Sequence, residues 1–175
     1  MDVSKIKENW LDGLKRITNL LVEDEEFENL NSNEQALILL ESLPKLLPSK
    51  KPTDKTIFKV YERGTAIEET IPPADCEPYL IGIGNPEETD IVLMSYSDGE
   101  PIFVVTASEA VPLLLASFWV FNITFPHDIQ RQFSLLSIII FREKSTKLLT
   151  KEMLSYTTVK NLLEKAGLRK PSETN

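Results

Sequence analysis

Cysteine and histidine are nearly absent, with Cys76 and His127 the only examples of either. A single thiol cannot close an internal disulfide, and the start Met1-Asp2-Val3-Ser4-Lys5 lacks the basic and apolar regions of a signal peptide. The chain is therefore expected to be intracellular, cytoplasmic or nuclear. One imidazole and one thiol rule out the usual zinc ligand sets, so a metal site would have to be mostly carboxylate.

Positive charge is also scarce: 19 Lys and Arg stand against 27 Asp and Glu, for a formal net charge of -8. Such a field repels phosphate backbones and anionic lipid, which disfavours nucleic-acid binding. The densest basic run, Lys50, Lys51, Lys55 and Lys59, contains no arginine and no interleaved aromatic pair, and reads as a solvated loop. Long apolar runs are missing too. The two most apolar stretches, 111–125 and 133–141, are separated by Pro126, His127, Asp128, Gln130, Arg131 and Gln132. Both fall short of the roughly 18 residues needed to cross a bilayer, so no membrane partner is expected.

What remains is an ordinary globular composition, 42% apolar and 26% charged over 175 residues. That length suits a single domain, here expected over 1–168 with a long Pro-rich connection at 48–90 and a disordered tail at 169–175. Val3, Ile6, Trp10, Leu14, Ile17 and Leu21 recur at helical spacing and predict an amphipathic helix over 3–22. Ser32-Asn33-Glu34-Gln35 has the form of a capping box before a second helix, which Pro44 is placed to kink and Pro48 to end.

Short strands are expected at 56–62 and 78–84. Asp98-Gly99 between two β-rich arms predicts a hairpin over 91–105. Thr106-Ala107-Ser108-Glu109 is a second capping-box pattern, opening an almost wholly apolar helix to Asn122. Another apolar helix should run from 127 to 141, and a short one after Thr157 should stop at Gly167. The expected fold is α+β: a small, mainly antiparallel sheet packed against about five helices.

Candidate chemistry is sparse. Gly82-Ile83-Gly84 lacks the third glycine and the following helix of a dinucleotide loop. The acidic groups Glu23-Asp24-Glu25-Glu26 and Glu87-Glu88 with Asp90 lack the spacing of a calcium loop. No cofactor and no metal are predicted. His127 is the only imidazole base, so a hydrolase would have to pair it with carboxylates, and with Cys76 or Ser134 as nucleophile. Phe118, Trp119, Phe121, Phe125 and Phe133 form the richest aromatic concentration. They read as core packing, with a share left for an apolar surface that docks a second chain.

The segments LESLPKLL (40–47), IFKV (57–60), IPP (71–73), the hairpin, and LLLASFWVFNITFP (113–126) carry a resemblance. Over residues 35–141 the chain resembles the C-terminal domain of uncharacterised animal proteins that carry an N-terminal sterile alpha motif domain. The resemblance implies an animal intracellular protein and a domain with no activity to transfer. The chain starts close to this domain, so no sterile alpha motif is expected ahead of it. The functional expectation is a non-enzymatic interaction or assembly module, holding a protein partner or a second copy on apolar helical surface. The alternative is a small hydrolase using His127.

Overall fold

A computed structural model describes residues 3–22, 27–70, 77–84, 90–94, 101–142 and 150–169. The first amphipathic pattern forms helix α1, Val3–Thr18, and buries Trp10, Leu14 and Ile17. The helix stops short of the expected Val22. The amides of Leu20 and Leu21 bond the carbonyls of Ile17 and Thr18, an i to i−3 tightening that closes the last turn.

Helix α2 spans Ser32–Leu46, and its capping box lies one residue earlier than the sequence suggested. Asn31 Oδ1 accepts from the Asn33 and Glu34 amides, while Glu34 accepts from the Asn31 amide at 2.6 Å. Asparagine followed three residues later by glutamate satisfies both directions of the box, so it prevails over Ser32 with Gln35. Gln35 instead donates to the Leu30 carbonyl. The helix continues through Pro44 and closes with the Leu47 amide on the Leu43 carbonyl.

Strands β1 (Phe58–Tyr61), β2 (Leu80–Ile83), β3 (Asp90–Met94) and β4 (Pro101–Val105) form one sheet in that order. The predicted hairpin is the antiparallel β3–β4 pair, and β2–β3 is antiparallel as well. Its Asp98-Gly99 turn falls outside the described residues. The β1–β2 pair is parallel, with Phe58 opposite Leu80, a pairing that the strand pattern did not specify. Parallel strands need a long crossover, and residues 62–79 supply it. Part of that crossover, Ile67–Thr70, is a 3-10 turn, so the Pro-rich connection is not uniformly irregular. Strand β2 is covered on both faces: Leu80 joins the main core, while Tyr79 and Ile81 pack with Tyr61 and Ile83 on the other side.

Helix α3, Ala107–Val120, packs on β3 and against α1 and α2. Thr106 is its N-cap, but its hydroxyl bonds the Glu109 carboxylate at 2.8 Å and no helix amide. The first turn is tied down from elsewhere. The Ser108 amide donates to Asn33 Oδ1, and the Ser108 carbonyl accepts the Trp10 indole N–H at 2.6 Å. Helices α1, α2 and α3 are thus joined at one point.

Helix α4, Gln130–Phe141, is preceded by a 3-10 turn at His127–Ile129 and lies against α1. The two helices approach tightly at Gly13, where an added Cβ would collide with Ile139 Cγ2. Helix α5, Thr157–Lys165, packs on α4 and ends at Gly167, as its sequence signal predicted. Gly167 has φ +64, and the Leu168 amide returns to the Leu163 carbonyl. The Arg169 amide also reaches the Leu163 carbonyl, and the rest of the expected tail, 170–175, lies outside the described residues.

Candidate ligand cavity and its apolar rim

The last two turns of α3 form the site because the chain leaves the helix abruptly after them. Asn122, at φ +52, occupies the left-handed position after the helix. The Asn122 amide bonds the Trp119 carbonyl and the Ile123 amide bonds the Phe118 carbonyl, which together make a Schellman closure. The segment then turns back, so that Phe125 lies on the core side of the helix end.

The five aromatic residues singled out in the sequence separate here into two groups. Phe118 and Phe133 are buried, at 2% and 0% exposure, and Phe125 is partly buried between them. Phe125 stacks on Phe133 with centroids 4.5 Å apart and planes 10° apart, and Phe118 meets both at tilted angles. These three pack on one another as a core cluster and leave the exposed patch to other residues. Trp119 and Phe121 remain at 63% and 50% exposure, joined by Val120 at 73%. Val120 went unnoticed in the sequence because nothing there distinguishes it from the buried aliphatic residues around it.

Beneath this exposed end lies a cavity of about 700 Å³. Its floor is Leu115, Phe118, Ser137, Ile140 and Met153, all buried, and its rim includes Trp119, Asn122, Thr124 and Val3, all exposed. Among the described residues, none of the lining side chains is charged. At the edge, Gln130 Oε1 accepts from the Tyr156 hydroxyl at 2.9 Å. Burial, and then the neighbouring Glu152 carboxylate, push the Tyr156 hydroxyl above its usual pKa of 10.0, which keeps it a neutral donor.

Helix α4 carries three buried polar side chains on this side of the fold, and two of them are satisfied. Gln132 donates to the Leu47 carbonyl at 3.1 Å, and Ser134 donates to the Met153 carbonyl at 2.6 Å. Ser137, at 1% exposure, makes no hydrogen bond among the described residues. A lone serine within the Leu-Leu-Ser-Ile-Ile-Ile run was the available sequence signal, and the sequence reading passed over it.

The histidine reading finds no supporting geometry among the described residues. His127 is exposed, and the adjacent Asp128 carboxylate is engaged by the Thr53 hydroxyl at 3.2 Å. Ser134 is buried with its proton committed to a backbone carbonyl, and Cys76 lies outside the described residues. The basic run is partly neutralised: Lys55 pairs with Glu77, and Lys59 sits 5.1 Å from the Tyr79 ring centre. No group of three or more potential metal ligands occurs among the described residues. No described helix is long and apolar enough to cross a membrane. The fold and site define an α+β chain with a mainly apolar cavity among its helices, lined by no charged side chain among the described residues. Compared with known protein families, characterised proteins and solved structures, the chain matches none.

Proposed function

We propose that this chain is a non-enzymatic interaction module that docks another polypeptide, a second copy or a separate partner, on the exposed end of α3. The observation that carries the reading is the contiguous exposure of Trp119, Val120 and Phe121. Large apolar side chains scattered singly over a surface are ordinary, whereas consecutive ones at a helix end make a patch that water solvates poorly. Trp119 in this patch supplies a rigid anchor with a large contact area, the type of residue that dominates interface energetics.

The test is light scattering on the size-separated chain, with wild type compared with Val120→Asp and Phe121→Asp over a wide concentration range. Both residues are exposed, so the variants should melt within a degree or two of wild type. A concentration-dependent dimer that the aspartates abolish would support self-association. Wild type and both variants remaining monomers at every concentration would leave only the separate-partner form. That form in turn fails if crosslinking in cells captures no adduct at Trp119 or Phe121 that the aspartates remove.

A further inference from the structure

We infer that the cavity beneath Trp119 is a binding site for a neutral, mainly apolar small molecule that offers one hydrogen-bonding oxygen to the Ser137 hydroxyl. This goes beyond the docking surface and, Trp119 apart, rests on different residues. A void of about 700 Å³ falls within the range of pockets that enclose drug-sized ligands, ~300–1,000 Å³. An apolar lining alone would fit any greasy occupant. Ser137 narrows the choice, because a buried hydroxyl without a partner loses its hydration for nothing unless something in the cavity bonds it.

The neighbouring polar groups show that this is particular to one position. Ser134, one turn earlier on the same helix, bonds the Met153 carbonyl, and Ser117 on α3 bonds the Leu114 carbonyl at 2.7 Å. Among the described buried polar side chains, Ser137 is the one that lacks such a partner, and it lines the cavity.

Charge settles the remaining chemistry. No described lining side chain is a cation, so among these residues a carboxylate or phosphate carried down to Ser137 would be desolvated without compensation. A long-chain alcohol, or an ester or ketone of similar size, has the required form. Its oxygen meets Ser137 at the floor while its hydrocarbon body fills the space under Trp119. A protein segment entering from outside would bring backbone amides and carbonyls into an apolar lining that offers few partners for them.

The experiment titrates the intact chain with decan-1-ol and, separately, with decanoate at pH 8, following tryptophan emission. Trp119 is exposed at the rim while Trp10 is buried, so a saturable blue shift reports the cavity. Decan-1-ol should saturate, and decanoate should bind roughly tenfold more weakly or worse. Ser137→Ala should weaken decan-1-ol by roughly two- to tenfold, the worth of one neutral hydrogen bond, without lowering the melting temperature. Ala116→Phe fills the cavity from its exposed side and should abolish the shift with the fold intact.

The inference is overturned if neither probe saturates, if decanoate binds as tightly as the alcohol, or if Ser137→Ala leaves the affinity unchanged. Val120 and Phe121 do not line the cavity, so failure here is distinguishable from failure of the docking surface.

Discussion

Replacing Gly13 by alanine inverts the usual rule for a glycine inside a helix. On propensity alone the change should stabilise α1 by about 1 kcal/mol. Here the new methyl would land on Ile139 Cγ2 and lie 3.3 Å from Ile139 Cβ. Ile139 is fully buried and branched at Cβ, so it cannot swing away without disturbing α4. Overpacking of this kind costs roughly 1–3 kcal/mol, and an overlap this severe belongs at the upper end. The net expectation is a loss of about 2 kcal/mol, or roughly 4–8 °C in melting temperature for a chain of this size. Urea titration of Gly13→Ala in two backgrounds makes the cause visible. With Ile139→Ala the colliding methyl is gone and only the 3.3 Å contact to the remaining Cβ is left, so Gly13→Ala should then be neutral or stabilise by up to about 1 kcal/mol. If Gly13→Ala lowered stability equally in both backgrounds, the close approach of α1 and α4 at this point would be wrong.

Ser134→Ala should cost about 1–3 kcal/mol by orphaning the Met153 carbonyl, whereas Ser137→Ala should be neutral or stabilising; equal effects in thermal melts would contradict the hydrogen-bond assignment. Asn122→Val should lose about 1–2 kcal/mol because a β-branched residue resists φ +52, while Asn122→Gly should hold or raise stability; a stable valine variant would refute the Schellman closure. Partial burial opposes the charge on Asp12, but Arg16 and Arg142 together outweigh it and hold the carboxyl below 3.8. A depressed folded pKa means that the stabilisation is complete above 3.8 and disappears as pH falls through the lower folded value. The carboxylate is 43% exposed, so Asp12→Asn should cost under about 1 kcal/mol at pH 7, with the gap to wild type shrinking by pH 2.5; a gap independent of pH would show that charge is not its origin.

Helical periodicity made α1, α3, α4 and α5 legible, because each buries a stripe or a whole surface that recurs at three and four residues. The Gly167 stop was equally readable, since a glycine after the last apolar residue has a single geometric use. Capping was less so. Ser32, Thr106 and Asn31 are all plausible caps by residue type; Glu34 decides for Asn31 over Ser32, whereas at Thr106 a tertiary partner intervenes, since the Ser108 amide of α3 is met by Asn33 of another helix. Long-range pairing was invisible for the same reason, as nothing in Phe58–Tyr61 says that it runs parallel to Leu80–Ile83. The aromatic cluster was found but not divided. Phe118 and Trp119 are adjacent in sequence, and a step of about 100° around the helix carries one into the core and leaves the other outside.

That same step is why docking and ligand binding, if both occur, cannot be independent. Trp119 belongs to the exposed patch and also lines the cavity, while Val120 and Phe121 belong to the patch alone and Ser137 to the cavity alone. A chain docked on the patch would cover the indole and restrict the cavity mouth, and a molecule beneath the indole would fix the surface that the docked chain must fit. Linkage requires the two effects to be equal: whatever factor docking applies to ligand affinity, the ligand applies to docking. Where the docked chain is a second copy, as one form of the proposal has it, decan-1-ol affinity measured below and above the concentration of dimerisation should therefore give two values. Their ratio should equal the ratio of dimerisation constants per bound ligand with and without the alcohol. Trp119→Ala should bring both ratios towards one, and ratios that survived this substitution would place the coupling elsewhere in the fold.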